Sequence, residues 1–191
     1  MRVASARAGN VIGGGDWAQD RIVPDCARSL ARGEAIVVRN ALATRPWQHV
    51  LEPLSGYLWL GALLTGNVRL PRVPDSGAVS AAFNFGPLPE ANRSVGQLVD
   101  EVLKHWPGCW RSDTANGVLH EAGLLGLAID KSCHMLQWYP CWTFARSVEA
   151  TVAWYRDVSS GTRDALVATN ADISSYMNDA TRLGLRWARE E

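Results

Sequence analysis

The sequence predicts an α/β fold, because short stretches of β-forming residues alternate with amphipathic helical patterns along most of the chain. The 191 residues are 47% hydrophobic and 20% charged, which suits a globular domain of ordinary size. Nineteen Lys and Arg balance nineteen Asp and Glu, so the formal net charge is zero. This composition excludes an intrinsically disordered chain. It also lacks the basic patch expected for binding nucleic acid or an anionic membrane.

Strands are predicted where β-forming residues cluster between turn signals. The first predicted strand ends in three consecutive glycines, and the fourth stops at Gly86 and Pro87. The predicted strands cover residues 3–12, 35–39, 47–51, 81–85 and 124–129.

Helices are predicted where apolar residues recur every three or four positions. Ser94 and Gln97 have the spacing of a capping box, and Asp130 and Thr143 are placed to cap two later helices. Pro53 is expected to begin an apolar helix. The predicted helices cover residues 22–32, 54–65, 95–106, 130–138, 144–160 and 171–183, and residues 67–80 are predicted to be a loop.

Several familiar site types are missing from the sequence. The chain contains no glycine-rich dinucleotide or phosphate loop, no G-x-S-x-G elbow and no H-E-x-x-H pair, and its histidines lack metal-ligand spacing. The cysteines are Cys26, Cys109, Cys133 and Cys141, and none forms a C-x-x-C pair. We therefore expect reduced thiols, no metal site and no complete catalytic constellation. No apolar run is long enough for a signal peptide or a membrane span, which favours a cytoplasmic protein.

Seven separated segments nevertheless resemble one enzyme family. They read RAGNVIGGGDW (7–17), DRIVPD (20–25), RPWQHVLEPLSGY (45–57), FNFGP (83–87), HEA (120–122), LQWYP (136–140) and ISSYMN (173–178). These segments are similar to the CDP-glucose 4,6-dehydratases, which are NAD-dependent extended short-chain dehydrogenases/reductases. The resemblance implies a lyase that converts CDP-D-glucose to CDP-4-dehydro-6-deoxy-D-glucose and water, in deoxysugar and lipopolysaccharide O-antigen biosynthesis. In that family, NAD takes a hydride from C4 and returns it to C6 after water has left.

The resemblance also implies that residues 1–191 form a single incomplete domain. This domain would contain the end of a Rossmann-type sheet and a nucleotide-sugar-binding lobe, with a polar tail over residues 162–191. The family's cofactor loop, its Tyr-x-x-x-Lys pair and its acid/base residues all precede the strand at 3–12. We therefore expect a substrate-binding half that is inactive alone and that pairs with a separately encoded N-terminal half. A sheet divided in this way would have an unpaired edge and an uncovered apolar face.

Two alternatives remain open at this point: a non-catalytic nucleotide-sugar-binding remnant, or part of a related nucleotide-sugar epimerase. The family forms homodimers, but it builds them mainly on helices of the other half. The sequence therefore leaves self-association of this chain open.

Two arginines are the predicted diphosphate ligands. Arg45 matches the family's diphosphate-binding arginine, and a guanidinium suits bidentate binding of phosphate. The alternative for Arg45 is a solvated loop residue. Arg21 lies at a helix start, where a positive charge is unfavourable beside the helix dipole. Its presence there therefore needs another explanation. It is expected either to contact substrate or to pair with Asp20 or Asp25.

Two asparagines follow or end predicted strands. Asn10 is expected to contact the substrate near the nicotinamide, and with Arg7 it is the predicted cofactor contact. Asn84 matches a position in the family's substrate loop. Both asparagines have a turn-forming role as the alternative, since each lies close to glycine.

The remaining predicted substrate contacts are less specific. His120 and Glu121 match a family segment near the ribose or diphosphate, and a surface pair is the alternative. Trp17 and Trp47 offer rings that stack on cytosine or sugar, although core packing is favoured for Trp47.

Overall fold

The chain consists of short strands and helices, as the predicted α/β class requires, but the strands Asn92–Ser94 and Trp110–Ser112 were not predicted. A computed structural model describes residues 2–71, 73, 75, 77–113 and 125–189. The strands are β1 (Ser5–Ala8), β2 (Asn10–Ile12), β3 (Ile36–Val38), β4 (Thr44–His49), β5 (Ala82–Phe85), β6 (Asn92–Ser94) and β7 (Trp110–Ser112). The helices are α1 (Ile22–Ala31), α2 (Leu51–Thr65), α3 (Val95–His105), α4 (Asp130–Leu136), α5 (Phe144–Ser159) and α6 (Ala165–Arg182), with 3₁₀ turns at Pro89–Ala91 and Arg186–Ala188.

The single strand predicted at 3–12 is divided at Gly9, so that its two parts pair with different partners. β1 pairs in parallel with β5, and β2 pairs in parallel with β4. β4 also pairs antiparallel with β6, and β3 pairs in parallel with β7. A side chain at Gly9 would meet the Pro46 ring at 3.1 Å. The glycine therefore allows the close approach at which the chain changes partners.

The described residues form two large apolar cores and a smaller one that contains Trp142, Ala150 and Tyr176. One core lies among α1, α3 and α5 and contains Trp47, which is only 4% exposed, as well as Leu98 and Tyr155. The other large core lies among α2, β5 and α4 and contains Phe85 and Trp138. The core position predicted for Trp47 is confirmed.

Helix starts follow the predicted capping signals in two of the three cases. Ser94 and Gln97 form the full capping box at the start of α3. The Thr143 side chain accepts a hydrogen bond from the Arg146 N–H at the start of α5. The prediction for Asp130 is wrong, because Asp130 is the first helical residue and no side chain caps α4.

The strand predicted at 124–129 is wrong over its described residues, 125–129, which are irregular. Their contacts explain why. The Ala128 carbonyl accepts from the Asn84 side chain, and Leu127 and Ile129 pack over Gly86. This backbone therefore serves side-chain contacts rather than a strand ladder.

Two helices begin earlier than predicted. α2 begins at Leu51, before Pro53, since a proline within the first turn removes no helical hydrogen bond. α6 begins at Ala165 instead of residue 171, because Asp164 caps it by accepting from the Leu166 N–H. β4 likewise begins at Thr44 rather than at Trp47, since its first residues pair with β6.

Candidate functional site

A cavity of about 1020 Å³ opens where β2 and β3 end. Its wall combines the glycine loop after β2, the first turn of α1 and the beginning of β4. Ligands of α/β proteins commonly bind at the carboxyl ends of parallel strands, and this cavity has that position.

Three predicted substrate ligands, Asn10, Arg21 and Arg45, line this cavity, and the largely buried Trp47 lines it as well. Asn10 begins β2 and lies opposite Trp47 of β4 in the parallel ladder. Arg45 lies near the start of β4, in the part that pairs with β6, and its guanidinium donates to the Thr44 carbonyl at 2.9 Å. β6 therefore fixes the backbone at Arg45, and β2 fixes the later residues of the same strand.

Trp17, Asn84 and Arg7 are not among the residues that line the cavity. Trp17 is 50% exposed and packs against the rings of Trp154 and Tyr155, with centroids 6.4 and 5.2 Å away. Asn84 donates to the Ala128 carbonyl at 2.9 Å, in a loop-bracing role. Arg7 is an exposed residue of β1. His120 and Glu121 lie outside the described residues.

The loop between β2 and α1 is held by two side chains from helices. Arg28 of α1 donates to the carbonyls of Trp17 and Ala18, each at 3.0 Å. The Tyr155 hydroxyl of α5 donates to the Asp16 carbonyl. The loop at the cavity mouth is thus tied to both helices.

Ion pairs line the mouth. Arg39 pairs with Asp20 at 2.9 Å, and Arg21 lies 4.0 Å from Asp16. The ion-pair alternative for Arg21 therefore holds with a different partner from the two that were predicted. Asp20 has a left-handed backbone, with φ of 63°.

Arg39 and Asp16 are cavity residues that the sequence reasoning missed. Arg39 directly follows β3, which ends beside β2 at the cavity. A polar residue at the end of a predicted strand was the available signal.

Three polar residues are buried behind the cavity: Gln48 and His49 at the end of β4, and Glu52 at the start of α2. The Gln48 amide donates to the Phe85 carbonyl at 3.1 Å, and His49 Nδ1 accepts from the Leu51 N–H at 3.3 Å. Burial, together with the nearby Arg146, lowers the pKa of His49 to about 3. His49 is therefore a neutral imidazole at ordinary pH.

Glu52 has no exposed surface and receives three hydrogen bonds. The N–H groups of Cys141 and Trp142 donate to it at 2.9 and 2.6 Å, and the Tyr176 hydroxyl donates at 2.8 Å. Burial raises the pKa of Glu52 to about 7, although these three donors oppose the shift. Glu52 thereby ties α6 and the residues before α5 to the first turn of α2, which follows β4.

A second cavity, of about 630 Å³, lies between α3 and the start of α5. It contains none of the predicted site residues, so we place the candidate site in the first cavity. Within the described part of the chain, no group of three or more His, Cys, Asp or Glu is placed to hold a metal ion. No helix among the described residues is long and apolar enough to cross a membrane.

The glycine loop does not fit a dinucleotide pyrophosphate. A pyrophosphate-binding turn needs glycines with open space beside them and a helix N-terminus that follows at once. Here a Cβ at Gly14 would fall inside the Trp154 ring, and α1 begins only after Arg21. The described residues therefore do not form a dinucleotide site on their own.

Sequence comparison decides the relationship. A CDP-glucose 4,6-dehydratase from Salmonella typhimurium is 40% identical to this chain over 183 residues, which is 94% of this chain and 48% of that protein. This chain is similar to the C-terminal half of a CDP-glucose 4,6-dehydratase. The resemblance predicted from the motifs is confirmed, and the chain spans about half the length of the relative that it matches. No family model matches the sequence.

Solved structures confirm the predicted fold class. A dTDP-glucose 4,6-dehydratase from Bacillus anthracis, in complex with NAD, matches 81% of this chain and 45% of its own length, with a TM-score of 0.61 and 16% identity. A UDP-glucuronic acid 4-epimerase from Bacillus cereus, with UDP-glucuronic acid and NAD, matches 83% and 46%, with a TM-score of 0.62 and 12% identity. RMD from Pseudomonas aeruginosa, with NADPH, matches 83% and 50%, with a TM-score of 0.65 and 18% identity. At these identities the likeness shows the Rossmann-like fold alone.

Proposed function

We propose that this chain is the substrate-binding half of a CDP-glucose 4,6-dehydratase-type lyase and is inactive alone. The enzyme would convert CDP-D-glucose to CDP-4-dehydro-6-deoxy-D-glucose and water. The observation that carries the proposal is the meeting of Asn10, Arg21 and Arg45 in one cavity of about 1020 Å³. That volume is at the upper end of what small-molecule sites use, and it suits an elongated nucleotide sugar.

In this proposal the chain binds and orients the substrate. The Arg45 guanidinium binds the diphosphate through two parallel N–H donors, because its planar fork matches phosphate oxygens. The Asn10 amide donates to a sugar or phosphate oxygen. Arg21 and Arg39 remain paired with aspartates at the mouth and limit the net negative charge that the diphosphate meets there.

The reacting groups would belong to the part of the enzyme that corresponds to the N-terminal half of the relative. This chain has no Tyr-x-x-x-Lys pair, and its described residues form no dinucleotide site. NAD would therefore be held by the other half; structural neighbours of the same fold were solved in complex with NAD or NADPH. We assign no chemical step to residues of this chain.

Calorimetry with CDP and CDP-glucose tests the binding role. Arg45→Ala should weaken binding of both ligands by about 10- to 100-fold, since a hydrogen bond to a charged group contributes about 1.5–3 kcal/mol. Arg69→Ala, which removes an exposed arginine far from the cavity wall, is the matched control and should leave binding unchanged. Failure of the unmodified chain to bind either ligand would favour an inert remnant and overturn the proposal.

Turnover assays separate the remaining possibilities. The chain alone, supplied with NAD and CDP-glucose, should form no 4-keto-6-deoxy product. Product formation by the chain alone would contradict the assignment of the reacting groups to another polypeptide. If a reconstituted pair interconverts UDP-sugar epimers instead, the epimerase alternative replaces the dehydratase.

A further inference from the structure

The end of β3 brings exposed apolar side chains and a charged pair to the same part of the cavity. Val37 and Leu125 both line the cavity, and they are 41% and 46% exposed. Arg39 lies two residues after Val37 along the extended chain, so the two side chains lie on the same side of the strand. Apolar surface beside polar groups suits a flat ring with apolar faces and a hydrogen-bonding edge, which is the character of a nucleobase.

The ion pair between Arg39 and Asp20 offers both donors and an acceptor. Nη2 of Arg39 lies 2.9 Å from Oδ1 of Asp20, and the two side chains are 55% and 76% exposed. This pairing uses one nitrogen of the guanidinium and one oxygen of the carboxylate. Further guanidinium N–H groups and the second carboxylate oxygen therefore remain for a ligand.

Asn40, next to Arg39 in the cavity wall, adds a donor and no acceptor. Its Oδ1 accepts from the Ala43 N–H at 3.2 Å, which fixes the orientation of the amide because a backbone N–H needs an oxygen as its partner. Its Nδ2 makes no hydrogen bond with any described residue. The part of Asn40 that remains for a ligand is therefore an N–H donor.

The backbone that follows Arg39 is held by the start of α3. The N–H groups of Val95 and Gly96 donate to the carbonyls of Ala43 and Ala41, each at 2.9 Å. The Val38 carbonyl accepts from the Asp113 N–H at 2.8 Å. The donors of Arg39 and Asn40 therefore project from a segment that is already ordered, which favours selective binding.

We propose that the Asp20–Arg39 pair, together with Asn40, binds the base of the nucleotide and selects cytosine over uracil and thymine. The inference rests on the proposed function, in which Arg45 binds the diphosphate. The hydrogen-bonding edge of cytosine presents one donor, the N4 amino group, and two neighbouring acceptors, N3 and O2. The planar guanidinium of Arg39 donates to N3 and O2 as a fork. The second oxygen of Asp20 accepts from N4, and the Asn40 amide donates to O2.

Uracil and thymine would mismatch this set of groups at two positions. Their N3 carries a proton, which would face the N–H donors of Arg39. Their O4 replaces the amino group and would face the carboxylate of Asp20. Each mismatch leaves polar groups without partners beneath the bound ring, and this costs more than a hydrogen bond contributes. We therefore expect CDP to bind about 10- to 100-fold more tightly than UDP or dTDP.

Calorimetry of the chain with CDP, UDP and dTDP tests the selection. Arg39→Lys keeps the positive charge and loses the planar fork, so the preference for CDP over UDP should fall at least about fivefold, with UDP binding changed by less than about twofold. Arg45→Ala should instead weaken CDP and UDP by the same factor, because the diphosphate is common to both. Arg69→Ala, at an exposed residue outside the cavity wall, is the control and should change neither affinity.

Two CDP analogues separate contact with the base from a structural role of the pair. The 3-deazacytidine diphosphate has a C–H in place of N3, and the 2-pyrimidinone riboside diphosphate lacks the N4 amino group. Each should bind the unmodified chain at least about fivefold more weakly than CDP, a comparison that requires no substitution. Arg39→Lys should lose the sensitivity to N3. Asp20→Asn should lose most of the sensitivity to N4, and asparagine tolerates the left-handed backbone at this position.

The outcomes distinguish this inference from the proposed function. Equal binding of CDP and UDP, with both weakened by Arg45→Ala, overturns the assignment of the base contacts and leaves the proposed function standing. A preference for CDP that persists unchanged in Arg39→Lys and Asp20→Asn also overturns it, because the base is then bound by other residues. A preference for UDP overturns it in favour of the epimerase alternative. Failure to bind any of the three nucleotides overturns both proposals.

Discussion

Glu52 and His49 lie three residues apart in the β4–α2 junction, and their buried side chains should make opposite contributions to the pH dependence of folding. Burial raises the pKa of Glu52 from 4.5 to about 7. Burial and Arg146 lower the pKa of His49 from 6.5 to about 3. Between pH 4.5 and 6.5, folding therefore adds a proton at Glu52 and removes one at His49.

The signs follow from the linkage between protonation and folding. Glu52 has a raised pKa in the folded chain, so its stabilising contribution is complete at low pH and is lost as pH rises towards 7. His49 has a lowered pKa, so its contribution is complete above pH 6.5 and is lost as pH falls towards 3. Each contribution changes by about 1.4 kcal/mol per pH unit. Over pH 4.5–6.5 they nearly cancel.

Single substitutions should reveal the separate pH dependences that Glu52 and His49 give to the free energy of unfolding. In Glu52→Gln, His49 is the only one of the two groups that still titrates. Its free energy of unfolding, relative to the unmodified chain, should therefore fall by about 2–3 kcal/mol as pH is lowered from 6.5 to 4.5. His49→Asn retains an acceptor for the Leu51 N–H and leaves Glu52 alone, so the relative stability should rise by about the same amount.

Urea unfolding followed by tryptophan fluorescence, at five pH values, measures these differences. All other titrating groups are common to the three proteins and cancel in the comparison. If the Glu52→Gln and His49→Asn curves run parallel to that of the unmodified chain, the buried protonation states assigned here are wrong.

Two further predictions concern packing and thiol access. Gly56→Ala should lower the free energy of unfolding by about 1–3 kcal/mol, because its Cβ would fall inside the Phe85 ring. Gly61→Ala, in the same helix, should raise the free energy of unfolding of the isolated chain by about 0.5–1 kcal/mol. Thermal melts of the two variants check both predictions, and equal effects would contradict the packing described for α2. Of the four free cysteines only Cys109 is exposed, so a thiol reagent should label one cysteine rapidly in the native chain and four after denaturation, as counted by mass spectrometry. Rapid native labelling of Cys26 or Cys133 would show that the cores open readily.

Local signals in the sequence predict much of the fold. Ser94, Gln97 and Thr143 mark two helix starts correctly, because capping depends on residues within one turn. The partner change at Gly9 is not predictable in this way, since it depends on the distant Pro46 and on strands that follow much later. The irregular backbone at 125–129 likewise reflects the Asn84 side chain, 44 residues away.

The residues of the candidate site show the same difference between what the sequence predicts and what only the folded chain defines. The resemblance named Asn10, Arg21 and Arg45, and the structure places all three in one cavity. It did not indicate Arg39, whose pairing with Asp20 is defined only by the folded loop. Glu52 was also missed, because its three donors come from residues 89 or more positions later in the chain.

The anchoring of residues 16–18 by Arg28 and Tyr155 has a thermodynamic consequence. Because those carbonyls are already bonded, the mouth of the cavity has little backbone freedom left to lose when a guest arrives. The entropy cost of ordering residues 16–18 is therefore incurred during folding. Part of it is offset by the packing of α5, which also contacts β4. Loss of the packing of α5 would therefore loosen the backbone at Asp16, at the mouth of the cavity.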